Sequence, residues 1–230
     1  MYELIIFDCD GTLVDSEYLN TVAIVEILHE FGLTDYSVEQ ALEEFVGLRF
    51  STILQNITNK TGHIFPNNAA QLYLKRVRDL APIHMKHIEG VREMIELAQK
   101  LAKTYVVSNG ERNNVLSALE YSNLKELFDE EDIITGLMAP NPKPAPDLFL
   151  LAARNAGICS SKTLVIEDSV TGVKAALAAK MDVWGFCGTH HEPEKQARIL
   201  NKMGANATYF NMGDIKNDLE KIQRTKMIIE

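Results

Sequence analysis

The sequence predicts an α/β protein, a doubly wound parallel sheet with a helical domain inserted after its first strand. Three observations predict it. Residues 4–7 (LIIF) are four consecutive bulky apolar residues that stop at an acidic, glycine-containing turn, DCDGTLVD, at residues 8–15. Such a run reads as a strand buried on both faces. From about residue 17 to residue 85 strand-like alternation is absent. From Gly90 onward short apolar runs alternate with helical segments, and strands joined by helical crossovers pair in parallel.

Within the insertion, Leu19, Val22, Ala23 and Ile27, mixed with Val25, Leu28 and Phe31, recur at three- and four-residue spacings and make a helix that Gly32 ends. Further helices are expected near 38–45, 49–61 and 67–80, with breaks at Gly47, Gly62 and Pro66. Beyond Gly90, Val91, Met94, Leu97 and Leu101 mark a helix, 105–107 a strand, and Val115, Leu116 and Leu119 a second helix. Phe128 closes that unit and 133–134 is a short strand. Pro144 and Pro146 suit the first turn of a helix at 145–156, because a missing N–H costs nothing there, and Gly157 ends it. A strand at 164–166, a helix at 170–180 and a strand at 183–186 follow. A helix at 194–203 capped by Gly204, an edge strand at 207–210 and a helix at 215–222 complete the chain. The expected division is residues 1–14 with 87–230 as a catalytic core and 15–86 as the insertion.

With 230 residues, 46% of them apolar, the chain can bury one substantial core and a smaller appendage. No apolar stretch approaches the roughly 18 residues of a membrane span. Met1-Tyr2-Glu3 leads straight into the first strand and leaves no room for a signal peptide, so the expected location is the cytoplasm. Cys9, Cys159 and Cys187 are odd in number and far apart, which fits reduced thiols. The net charge of −9 and the lack of a basic stripe argue against a nucleic-acid partner. An anionic substrate must then be drawn in by local cations. A monomer acting on a small molecule is expected.

Three polar clusters end three apolar strands: Asp8 with Asp10, then Ser108-Asn109-Gly110, then Glu167-Asp168-Ser169. Taken singly, each could be a turn or a helix cap. A calcium loop fits Asp8-Cys9-Asp10-Gly11 poorly, because the glycine is fourth rather than sixth. Taken together, the clusters place hydroxyl, amide and acids on the carboxyl-end rim of one sheet, where open α/β sheets bind ligands. Four crowded carboxylates call for a cation, and hard oxygen ligands suit Mg²⁺. Lys143, held between Pro142 and Pro144, can neutralise a phosphoryl group and an aspartate together. The pairs His84/His87 and His190/His191 lack a third ligand nearby and are not read as metal sites.

Residues 5–16, IIFDCDGTLVDS, resemble the first motif of the haloacid dehalogenase-like (HAD) phosphatase superfamily, and the later motifs recur in order. The resemblance implies a Rossmann-like core and gives Asp8 the part of nucleophile, forming an aspartyl-phosphate. It gives Asp10 the part of general acid/base. Thr12 would help orient Asp10, and Ser108 and Asn109, with Lys143, would bind the transferring phosphoryl oxygens. Glu167 and Asp168 would hold Mg²⁺ together with Asp8 and the Asp10 carbonyl. The insertion resembles the superfamily's helical cap, which closes over the site, with hinges at Asp15-Ser16 and near residues 82–90. Arg49 occupies the place of a substrate-contacting basic residue. Lys75, Arg76 and Arg78 read as a solvated helix face that could add to the positive field.

Dehalogenases lack the second acid of the motif, so Asp10 implies phosphoryl transfer. β-Phosphoglucomutase-like members carry histidine twelve residues after the nucleophile, where this chain has Asn20. FDCDGTLVDSE, VVSNG and Phe186-Cys187 are similar to 6-phosphogluconate phosphatase-like members. The resemblance thus implies an Mg²⁺-dependent phosphatase of small phosphorylated metabolites, sugar phosphates or phosphosugar acids. A phosphomutase and a non-catalytic Mg²⁺-dependent binding protein are the alternatives.

Overall fold

A computed structural model describes residues 1–45, 48 and 50–229, with side chains through residue 222. The chain divides into two units, Met1–Asp15 with Lys86–Glu230, and Ser16–Met85. In chain order the strands are β1 (Leu4–Phe7), β2 (Val14–Asp15), β3 (Lys86–His87), β4 (Lys103–Ser108), β5 (Ile133–Thr135), β6 (Thr163–Glu167), β7 (Asp182–Phe186) and β8 (Ala207–Tyr209). β2 and β3 form a two-stranded antiparallel ladder. The other six make one sheet in the order β5-β4-β1-β6-β7-β8, parallel at every pairing.

β1 is central because all four of its side chains are buried, which requires cover on both faces. Phe7 lies beside Val106 of β4 and Ile166 of β6. The chain moves outward on one side of β1 and then returns to build the other side, so the strand order reverses at β1. Loops diverge at such a point and leave a crevice beyond the strand carboxyl ends.

The helices of this unit are α5 (Val91–Leu101), α6 (Arg112–Tyr121), α7 (Asp147–Ala156), α8 (Val170–Ala178), α9 (Pro193–Met203) and α10 (Met212–Ile229), following α1 to α4 of the other unit. One buried cluster joins Leu4, Ile6, Val107, Val165 and Val183 of the sheet to Leu148 and Phe149 of α7. Ala152, Ala153, Ala175 and Ala176 belong to the same cluster, and their small side chains let the helices lie close to the strands. Ile5 and Phe7 point to the opposite face by strand alternation, where Phe7 meets Phe128 edge-on at 6.3 Å.

The second unit contains α1 (Glu17–Glu30), α2 (Val38–Phe45), α3 (Phe50–Thr61) and α4 (Ala69–His84). Ile24, Val25, Leu28, Ala41, Phe45, Ile53 and Ile57 form its core, and Phe50 stacks on Tyr73 at 4.3 Å. Arg76 of α4 pairs with both Glu26 and Glu30, one turn apart on α1. Its charge is thereby spent inside the unit instead of adding to a positive field. Gly47 and Arg49, singled out in the sequence, lie outside the described residues.

Local differences from the sequence expectation have identifiable causes. α4 runs on to His84 and carries Pro82 in its last turn, where few later residues need the lost hydrogen bond. α7 starts at Asp147, two residues later than expected, because Pro142–Ala145 makes a turn in which Ala145 N–H donates to Pro142 O at 3.0 Å. α10 begins three residues early and extends to Ile229, with Met212, Ile215 and Leu219 buried along one stripe. β2 and β3 were invisible to periodicity because two residues cannot show alternation. Cys9 and Cys187 are buried, Cys159 is exposed, and none is in a disulfide. No helix among the described residues is long and apolar enough to cross a membrane.

Ile6 is fully buried whereas Leu137 is 91% exposed in the same unit. Ile6→Ala is therefore expected to lower the unfolding free energy by about 2–5 kcal/mol in a urea titration, and Leu137→Ala to change it by less than about 0.5 kcal/mol.

Candidate active site

The site begins where β1 stops. Asp8 N–H still donates to Ile166 O at 3.0 Å, after which the chain folds back so that Leu13 and Val14 N–H donate to Cys9 O at 2.8 and 3.1 Å. This turn buries Asp8 and leaves Asp10 exposed. Gly11 makes it possible: its φ is +80°, and a Cβ there would overlap the Asp168 carboxylate. The turn after β1 and the turn after β6 thus touch backbone to side chain.

Lys143 ties the rim together. Its ammonium donates to Asp8 Oδ1 at 2.6 Å, Val107 O at 2.7 Å and Glu167 Oε1 at 2.9 Å. Three N–H bonds thus meet three acceptors from the ends of β1, β4 and β6. The ring of Phe149 lies 4.7 Å from the same nitrogen, a favourable face for a cation. The main chain of Lys143 is held as firmly: its N–H donates to Asn109 Oδ1 at 2.8 Å, and Asn109 Nδ2 donates back to its carbonyl at 3.0 Å. Asn109, expected to bind phosphoryl oxygens, uses both ends of its amide on the Lys143 main chain and keeps a second Nδ2 hydrogen to donate. Ser108 Oγ accepts from Gly110 N at 3.0 Å, and its own hydrogen can still donate.

Glu167 is engaged at both oxygens. Oε1 takes Lys143, while Oε2 accepts from Ser169 N and Ser169 Oγ, each at 2.8 Å. Ser169 also caps α8 by accepting from Gly172 N at 3.0 Å. The Glu167 carboxylate lies so close to Gly172 that any side chain there would overlap it. Glu167, expected to help hold a cation, bonds Lys143 and the α8 N-terminus. Thr12, expected to orient Asp10, donates to Asp168 Oδ1 at 3.3 Å.

Sequence reasoning missed four contributors. The Val107 carbonyl carries no side-chain signal. Gly172 carries a weak one, a glycine in the first turn of the helix that follows an acidic pair. Thr189 donates to Gly11 O at 2.7 Å and Gln196 Nε2 to Asp168 O at 2.6 Å, and neither belongs to a motif. The histidine pairs serve structure: His84 meets Tyr18 edge-on at 5.6 Å, His87 Nδ1 lies 3.0 Å from Ser122 O, and His190 stacks on His191 at 4.5 Å.

Charge is unbalanced here. Burial pushes the Asp8 carboxyl up to about 8, and Glu167 and Asp10 add to the rise against the opposing pull of Lys143. Burial and the charges of Glu167 and Asp8 likewise raise Asp168. Burial alone would lower the Lys143 ammonium, but Asp8 and Glu167 hold it above the ordinary lysine value. Asp8, Glu167 and Asp168 share one ammonium, so a further cation would relieve the site. Hard oxygen donors are at hand in the Asp8 and Asp168 carboxylates. Among the described residues no three His, Cys, Asp or Glu side chains group as a metal cage. Mg²⁺ typically needs only one or two carboxylates beside waters and substrate oxygens, so this donor set fits it.

Comparison with known proteins agrees with this geometry. The model of the family described as haloacid dehalogenase-like hydrolase matches residues 5–186. The chain is 30% identical to 6-phosphogluconate phosphatase of Escherichia coli (strain K12) over 190 residues, 82% of this chain and 84% of that protein. It is 29% identical over 185 residues to a fructose-1-phosphate phosphatase of the same organism, covering 79% of this chain and 94% of the other. A HAD family hydrolase from Deinococcus radiodurans R1, solved with bound phosphate and sodium, superimposes with a TM-score of 0.80 at 29% identity over 96% of each chain.

The raised carboxyls fix the sign of a pH effect. Between the usual aspartate value of 3.8 and about 8 for Asp8, the folded chain holds protons that the unfolded chain has lost. Stability then falls as pH rises through that window. Lys143 is protonated in both states there and leaves the slope unchanged. In chelator, the urea midpoint is expected to be higher near the acidic end of the window than near its upper end, and a Lys143→Met variant, which loses the charge that lowers Asp8, to carry the decline on to higher pH.

Proposed function

Because the chain belongs to the haloacid dehalogenase-like hydrolase family and is a phosphoric monoester hydrolase, we propose that it is an Mg²⁺-dependent phosphatase of a small phosphorylated metabolite, a sugar phosphate or phosphosugar acid, working through an aspartyl-phosphate. The observation that carries this reading is the Lys143 ammonium, 2.6 Å from Asp8 and 2.9 Å from Glu167 on one sheet rim. A buried lysine there holds an aspartate ready and offers positive charge where a phosphoryl group would sit.

In the first half-reaction a carboxylate oxygen of Asp8 attacks phosphorus. A P–O bond to Asp8 forms as the bond to the leaving oxygen breaks, and Asp10 gives that oxygen its proton. In the second half Asp10 takes a proton from water, the water oxygen bonds to phosphorus, and the bond to Asp8 breaks to release inorganic phosphate. Ser108 offers its O–H, and Lys143 its positive charge, to the equatorial oxygens, where the transition state spreads its charge. Asn109 acts through Lys143, and Glu167 acts by fixing the ammonium. The residues that would hold Mg²⁺ are Asp8, Asp168 and the Asp10 carbonyl, and the ion would supply charge to neutralise the phosphoryl group.

A sugar phosphate is favoured by the relatives, named for 6-phosphogluconate and fructose 1-phosphate. The helical unit is the part we assign to substrate choice. Hydrolysis is favoured over phosphate migration by Asn20, whose amide oxygen accepts from Tyr73 OH at 3.2 Å. Unlike a histidine, it has no proton to relay at neutral pH.

In a panel of phosphorylated sugars and sugar acids, the protein should release phosphate only with Mg²⁺. Asp8→Asn should lower the rate on the order of 10³-fold or more while leaving the fold intact by circular dichroism. Wild-type protein that releases no phosphate from any monoester would overturn the reading.

A further inference from the structure

The connection between β7 and α9 grips both halves of the cation-binding rim from outside the acidic motifs. Thr189 Oγ1 donates to Gly11 O at 2.7 Å across 178 residues of sequence, and Gln196 Nε2 donates to Asp168 O at 2.6 Å across 28. Gly11 O belongs to the peptide next to the Asp10 carbonyl, and Asp168 carries the second carboxylate. Both bonds end on main-chain carbonyls, so neither changes the charge of the site. They act on distance alone.

The connection is itself fixed. Cys187 N–H donates to Tyr209 O at 2.8 Å, prolonging the pairing of β7 with β8, and His190 N–H donates to Cys187 O at 3.1 Å. His190 stacks on His191, and Glu192 N–H donates to His190 Nδ1 at 3.1 Å. Pro193 then opens α9, which delivers Gln196 with only 7% of its surface exposed. Gly11, lacking a Cβ, lets Asp168 come against the nucleophile turn, and Thr12 adds its 3.3 Å hydrogen bond to Asp168. That contact sets how near the turns can come. The two outer bonds set how far apart they can drift.

We propose that Thr189 and Gln196 are positioning residues that clasp the Asp10–Thr12 turn to the Asp168 turn and so set the affinity for the divalent cation. The inference rests on the Mg²⁺-dependent reading above and extends it to two residues that touch neither cation nor substrate. Groups that orient ligands from behind affect metal affinity strongly, whereas chemistry at saturating metal needs only the assembled site.

The test is calorimetric titration of Mg²⁺ into wild-type, Thr189→Val, Thr189→Ser and Gln196→Leu proteins without substrate, followed by kcat at saturating Mg²⁺. Thermal melting in chelator confirms that each is folded, and Gln196→Met replaces the leucine variant if that one is not. The valine and leucine variants should bind Mg²⁺ about tenfold more weakly yet keep the wild-type kcat once Mg²⁺ saturates. Thr189→Ser, which keeps the donor, should bind as wild type does. Unchanged affinity in the folded apolar variants would overturn the clasp, as would a kcat lost at saturating Mg²⁺ with affinity intact. Wild-type protein that binds no divalent cation would instead overturn the reading beneath it.

Discussion

The structure depends on one buried ammonium. Lys143 is 5% exposed and satisfies its three N–H bonds with groups from three different strand ends. Removing one partner from a buried ion pair costs about 3–5 kcal/mol, because the other charge is left without compensation. That magnitude exceeds what an exposed pair such as Lys162 with Glu3 contributes, because water screens the two charges. The rim is therefore held by the same group that, in the proposed reaction, readies it for chemistry. Asn109, Ser169, Gly172 and Phe149 can each be understood as serving that placement, through the backbone, the counter-charge or the ring beneath.

The carboxylates outnumber the ammonium, and in the proposed reaction this imbalance serves to attract a dication. A neutral rim would be more stable without metal but would offer nothing to a dication. Raised carboxyls at Asp8 and Asp168 express this tension. Glu167 is drawn out of it by two hydrogen bonds from Ser169 in addition to Lys143. Two adjacent acids, Glu167 and Asp168, thus diverge: one faces the lysine and the α8 N-terminus, the other lies against Gly11.

Much of the fold was legible because its strands are short, fully apolar and punctuated by glycine, proline or acids. The six-stranded parallel sheet and the helical insertion follow from that pattern. The strand order does not, since periodicity gives elements without neighbours. At the site, Asp8, Lys143, Glu167 and Asp168 could be named from the motifs, but their division of labour could not. That Asn109 would clamp the Lys143 main chain depends on where the turn at Pro142–Ala145 lands, which no local spacing encodes. Thr189 and Gln196 were invisible for the same reason: a neutral side chain bonded to a distant carbonyl leaves no compositional trace. The charge on Arg76 is a milder case, cancelled by two glutamates on another helix.

The placement of β1 has a consequence for how the polypeptide assembles. Leu4 pairs with Lys103 on one side and with Thr163 on the other, so β1 waits for nearly half the chain before it gains one neighbour and for well over half before it gains the second. Closing such large loops is slow, and an unpaired apolar strand is exposed to wrong partners meanwhile. Helices α1 to α4 carry a local core that needs only nearby residues. The insertion can thus become ordered while its host is still a collection of unmatched strands, and the acidic rim, which needs β1, β4 and β6 together, is among the last features to acquire its shape.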